Sequence, residues 1–138
     1  MRNKIAAIAV AIIVAAVIVF VGFMMARDSK AAKFEVTADT LSIQCSFGVD
    51  VPLDEIKDLK LTDKLPAIAI KTNGAGIGGM KKGEYQLEDG RQARLYLDIE
   101  QPLFITFTQA DTVFFLNAET TEDTHKLYDQ LQKSRQIT

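Results

Sequence analysis

Gly74, Gly76 and Gly79 match the spacing G-x-G-x-x-G, with Lys81 and Lys82 directly after. Glycines so spaced let backbone N–H groups approach a phosphate, and adjacent lysines add charge. The dinucleotide fingerprint also needs a strand before the glycines and a helix after them. Here Gly83-Glu84-Tyr85-Gln86-Leu87 follows, which reads as a strand. Met80 stands where a phosphate loop requires lysine. The stretch 73–83 is therefore expected to be a turned Gly-rich loop without a nucleotide cofactor. Gly74, Gly76, Gly79, Lys81 and Lys82 are its candidate ligand contacts for a small anion or a lipid headgroup.

Other reactive residue types are sparse. The single Cys and single His exclude a disulfide framework, a Cys-based zinc site and a multi-histidine metal site. His125 lies beside the apolar stripe of a C-terminal helix, and no partner for acid–base work is placed near it. Cys45 follows Leu41 and Ile43 at period two and is expected to point inward as a small apolar residue. No catalytic, cofactor or metal residue is assigned, and the expectation is that the chain is not an enzyme. Tyr96 and Phe104 have opposite parity to Leu95-Leu97-Ile99 and Leu103-Ile105-Phe107. Should those triplets face the core, Tyr96 and Phe104 form an outward partner surface. The alternative is that a helix or the folded-over sheet covers them.

The elements that must carry these residues begin with a hydrophobic run. Residues 5–26 contain no charged side chain, so much of the 48% hydrophobic content is concentrated there. As a helix the run is about 33 Å long, against roughly 30 Å of bilayer hydrocarbon. It is too long for a signal-peptide core, and Met24 spoils a small-x-small cleavage site before Arg27. An uncleaved anchor is expected, preceded by a tail at 1–4 and followed by a tether at 27–33. Arg2 and Lys4 at the start favour an N-inside orientation, with the domain outside the cytoplasm at the cell membrane. Arg27, Lys30 and Lys33 on the other side oppose it. Ala7, Ala11 and Ala15 recur every fourth residue, a spacing compatible with weak self-association of the span. Alanine is abundant there and no full GxxxG pair occurs, so chance is the stronger account of the spacing.

Charge narrows the partners. Residues 1–30 hold Arg2, Lys4, Arg27 and Lys30 against Asp28. Taking these from chain totals of 16 basic and 18 acidic leaves 12 against 17 for residues 31–138, a net of −5. Such a domain is poorly suited to nucleic acid or to anionic lipid in general.

Residues 34–134 read as one small α+β domain. Phe34 to Ala38 and Leu41 to Phe47 alternate as strands around Asp39. Leu53 to Lys57 reads as one helical turn, with a strand-like stretch behind it. Glu84 to Glu88 and Arg91 to Ile99 form a hairpin about Asp89-Gly90, expected as a type I′ turn. Leu103 to Thr108 and Thr112 to Asn117 form another. Thr120 to Asp123 resembles a capping box. Thr124, Leu127, Tyr128 and Leu131 then share one face of a helix over about 121–133. Some seven strands and one closing helix are expected.

That order of elements resembles the pleckstrin-homology fold, and the local text resembles bacterial PH-like domains of short membrane-anchored proteins. The matching pieces are Val51 to Ile56, Lys71 to Gly74, Lys82 to Tyr85, Asp89-Gly90, Ala93 to Tyr96, Pro102 to Ile105 and Asn117 to Glu119. The resemblance spans roughly Lys33 to Leu131 and implies a folded-over antiparallel sheet closed by the helix. It hands over no catalytic residue. The loop Ala38-Asp39-Thr40 carries no base, so phosphoinositide binding is not implied. The functional expectation is a membrane-anchored protein-interaction module with an unidentified protein partner. The alternative is a binder of a small ligand or lipid headgroup through loop 73–83.

Overall fold

The computed structural model describes residues 2–28, 31–77 and 79–137. Helix α1 covers Arg2–Asp28. Its stretch Asn3–Phe23 is long and apolar enough to cross a membrane, and none of it is buried against the rest of the chain. Nine strands follow among the described residues: β1 (Lys33–Val36), β2 (Thr40–Gln44), β3 (Asp50–Pro52), β4 (Lys57–Thr62), β5 (Ile68–Ile77), β6 (Met80–Leu87), β7 (Gln92–Asp98), β8 (Phe104–Gln109) and β9 (Thr112–Leu116). A single 3-10 turn at Leu53–Glu55 joins β3 to β4. Helix α2 (Thr121–Ile137) ends the chain, one turn longer than its apolar stripe suggested.

The class is α+β, as the order of elements implied. The strand count and the pairing differ from expectation. The strands form two sheets, β1-β2-β3 and β4-β8-β9-β7-β6-β5, not one folded-over sheet of seven. The pairing is not antiparallel throughout, because β9 inserts between β8 and β7 and runs parallel to β7. Asn117 holds this crossing. Its Oδ1 accepts from the Asp98 N–H at 2.8 Å and its Nδ2 donates to the Asp98 carbonyl at 2.9 Å, extending the β7–β9 ladder with a side-chain amide. Asn117 is 1% exposed, so both of its polar ends need those partners.

The large sheet is strongly curled. Strands β4 and β5 run in the same direction on opposite edges, yet only Asp63 to Ala67 connects them. Six strands laid flat at roughly 4.8 Å spacing put the edges some 24 Å apart. Five residues cannot span that and also return to the starting end of the sheet. The crossover therefore lies over the concave face, where Leu65 and Ile68 pack against Tyr85, Leu87, Ala93, Leu95, Leu97, Phe104, Val113 and Phe115. The convex face presents Tyr96, Ile105, Phe107, Phe114 and Leu116 to the small sheet and to Leu127 and Leu131 of α2. The Phe107 and Phe114 rings stack at 4.7 Å between centroids.

Both covered faces decide the fate of the two candidate surface aromatics. Tyr96 is 0% exposed and Phe104 4% exposed, on opposite faces of the sheet. Neither belongs to a partner surface. Parity assigns residues to two faces, and here each face has its own cover. Apart from α1, Ile99 is the one large apolar side chain well exposed among the residues whose side chains are described, which exclude 69–78.

The hairpin at Asp89-Gly90 forms where expected, with a different turn. Gly90 alone has positive φ, at 90°. The Gly90 N–H donates to the Leu87 carbonyl and the Leu87 N–H to the Arg91 carbonyl, so the loop has three residues. That is a type I turn followed by a left-handed glycine. The start of α2 is capped by Thr120, whose Oγ1 accepts from the Asp123 N–H at 3.1 Å.

Candidate functional site

The Gly-rich stretch is not a loop. Gly74 and Gly76 lie within β5, paired with Gly83 and Lys81, and Gly79 follows at the tip of the β5–β6 hairpin. Residue 78 of that turn lies outside the described residues. Successive N–H groups of an extended strand point to opposite sides, so the glycines of β5 do not converge into a cradle even though β5 is an edge strand. Lys81 and Lys82 are successive strand residues and so point to opposite faces. The Lys81 ammonium sits over the Tyr85 ring at 5.7 Å, whereas Lys82 is 3% exposed on the other side. The two lysines do not converge on one anion. Gly79 has a packing role: a Cβ there would come within 2.7 Å of Asp98 Oδ1, and its carbonyl accepts from the Ile99 N–H.

His125 is exposed on α2, and Cys45 is half-buried at the end of β2, against the convex-face core. Near Cys45 a polar chain ties the two sheets. The Tyr96 hydroxyl donates to the Phe47 carbonyl at 2.6 Å, Arg94 Nη1 donates to Tyr96 Oη at 3.2 Å, and Arg94 Nη2 donates to Glu84 Oε1 at 2.6 Å. Burial pushes the Tyr96 hydroxyl above the ordinary tyrosine range, and the Arg94 hydrogen bond only partly opposes this. Tyr85 is raised by the same cause. A neutral phenol that donates one bond across a sheet interface is a structural tie. No group of three or more His, Cys, Asp or Glu able to hold a metal occurs among the described residues.

Sequence reasoning missed the concavity that the crossover creates. A groove of about 640 Å3 runs between β4 and the segment Lys64-Leu65-Pro66. Val113 and Phe115 contribute to its apolar floor, and Thr62, Thr106 and Thr108 supply hydroxyls along it. Lys60, Lys64 and Arg91 line its rim, with Asp58 as the one acid. A bulge in β4 between Lys57 and Lys60 shapes this wall. Asp58 within it takes φ 55°, an uncommon conformation for a residue with a side chain. Thr108 Oγ1 reaches the Lys57 carbonyl at 3.3 Å and Asp58 Oδ2 at 3.4 Å, bracing the bulge. At the Arg91 end, Asp89 Oδ2 pairs with Arg91 Nε at 2.7 Å. The Arg91 N–H, more than its charge, holds the Asp89 carboxyl below the usual range. The sequence signal was thin: three lysines at 57, 60 and 64 around a segment of mixed pattern. A smaller cleft of about 390 Å3 lies where Lys33 and Phe34 meet α2, with charges of both signs.

Comparison with protein-family models, curated proteins and solved structures finds no match to this chain. What the site can do is therefore read from its own residues. An open groove with an apolar floor, hydroxyl walls and a cationic rim suits reversible binding of an anionic partner with some apolar surface.

Proposed function

We propose that this chain is a membrane-anchored protein-interaction module, held by α1 with residues 31–138 outside the cytoplasm, and that it acts without catalysing a reaction. The groove beside β4 carries the reading. It pairs apolar floor with cationic rim in a domain whose other large apolar side chains, among those described, are almost all covered. The unburied apolar helix α1 supports the anchor. The PH-like resemblance is kept as a proposal of kinship, and the parallel β7–β9 pair is its main departure. The alternative of a small-ligand loop at 73–83 loses support, since those residues form a paired hairpin.

The test is a photo-crosslinking side chain at Thr62, in the full chain in its native membrane, compared with the same probe at Glu122 on the exposed side of α2. A discrete protein adduct from position 62 and none from 122 is the expected result. Equal or absent adducts at both positions would remove the groove from the proposal. A C-terminal reporter active only in the cytoplasm should stay silent; a strong signal reverses the orientation.

A further inference from the structure

Resting on the groove as the interaction site, we infer that its occupant is an acidic segment of another protein, bound in extended form along the free edge of β4. Strand β4 stands at the end of the six-strand order, hydrogen-bonded to a strand on one side only among the described residues. The N–H and C=O groups on the other side form a template for one more strand. The bulge, the three lysines and the crossover keep this edge from pairing with another copy indiscriminately, while leaving it open to a matched segment.

Length and charge choose the class of occupant. The groove follows the chain from Asp58 to Lys64, a run of about 20 Å at ordinary strand rise. A small dicarboxylate fills only a fraction of that; an extended segment of about six residues fills it. Strand register sets Arg91 near one end, Lys60 midway and Lys64 near the other. Lys60 and Lys64 form no ion pair among the described residues, whereas Arg91 already has Asp89. The remainder of residues 31–138 is net acidic. An acidic segment is thus repelled by most of the surface and attracted here, which gives specificity by charge. Side chains of an added strand alternate between faces, so every second one enters the groove. Carboxylates there meet Lys60 and Lys64, and their stems lie along the β4 wall at Thr62.

The probe is a blocked peptide of about seven residues alternating glutamate and valine, titrated against the full chain in zwitterionic detergent. Saturable binding is expected, together with slowed hydrogen exchange of β4 amides. The double variant Lys60→Glu/Lys64→Glu should weaken binding by at least about tenfold and acquire affinity for the matching lysine–valine peptide. Both lysines are exposed, so its melting curve should match the parent's. Lys60→Gln/Lys64→Gln should fall between. The inference is overturned if the parent binds both peptides equally, if charge reversal leaves affinity unchanged, or if β4 exchange does not slow. It is also overturned if glutarate competes at the concentration where the peptide binds, or if anionic vesicles bind in its place. Failure of the peptide with the position-62 adduct intact removes the acidic occupant and leaves the interaction module. Failure of both removes both.

Discussion

Tyr96 illustrates how one hydroxyl can join two sheets. Its O–H donates to the Phe47 carbonyl, and ionisation would leave two oxygens facing each other in a buried site. The folded values of Tyr96 and Tyr85 lie above the ordinary tyrosine value of about 10. A raised folded value contributes stability that is fully present below the unfolded value and is lost as pH rises through the folded one. The melting temperature of residues 31–138 should therefore drop as pH climbs past about 10. In Tyr85→Phe/Tyr96→Phe that drop should be shallower, and an unchanged alkaline slope would show that neither phenol is responsible. Gly48 is a second residue with a strict requirement. A Cβ there would lie 1.9 Å from the Ile43 carbonyl oxygen, which is backbone and cannot step aside. Gly48→Ala should cost about 1 to 3 kcal/mol by denaturant titration, the range for forced overpacking. A neutral outcome would mean that the turn after β2 opens freely. The matching change at Gly22, which meets no atom within 4 Å, should leave the stability of residues 31–138 untouched.

Helix α2 is the element whose role is simplest to test. Leu127 and Leu131 are 6% and 0% exposed, and Thr124 beside them is 1% exposed. Lys126 faces solvent, with only a loose 3.6 Å pair to Glu122. Leu127→Ala should cost about 2 to 5 kcal/mol, as buried leucine truncations do. Lys126→Ala should change stability by less than about 0.5 kcal/mol. Thermal melts of the isolated domain measure both. Leu127→Ala without effect would detach α2 from the core and recast it as a binding helix. Arg135 adds a tie from the last turn by donating to the Ile56 carbonyl at 2.9 Å, and Thr121 Oγ1 donates to Gln101 Oε1 at 3.3 Å at the other end.

At the scale of the whole molecule, the apolar stretch Asn3–Phe23 is unburied, while α1 touches the domain at β5. Ala32 is buried and Phe34 packs on the convex-face core, so the domain begins immediately before β1. Deleting residues 1–30 should give a soluble, cooperatively melting fragment. The full chain should stay in the membrane fraction until detergent is added, with its N-terminus uncut. A mature N-terminus mapped directly after Ala26 contradicts the anchor. If the fragment is insoluble, the span shares a core with the domain.

Much of this was legible because it depends on local pattern. The uncharged run at 5–26 fits a bilayer by length alone. Alternation at Leu41 and Ile43, the Asp89-Gly90 pair, and the stripe Thr124-Leu127-Leu131 reveal elements because side-chain period follows backbone geometry. Three things required the tertiary structure. The glycines at 74 and 76 look alike in a loop or a ladder, and pairing with β6 decided for the ladder. Tyr96 and Phe104 follow strict parity, yet parity cannot say that both faces are covered. The groove arises where Asp63 to Ala67 crosses a curled sheet, bringing residues near 60, 91 and 113 together from three distant segments. Local periodicity carries no information about such long-range closure, which is set by how the edges of the sheet are joined.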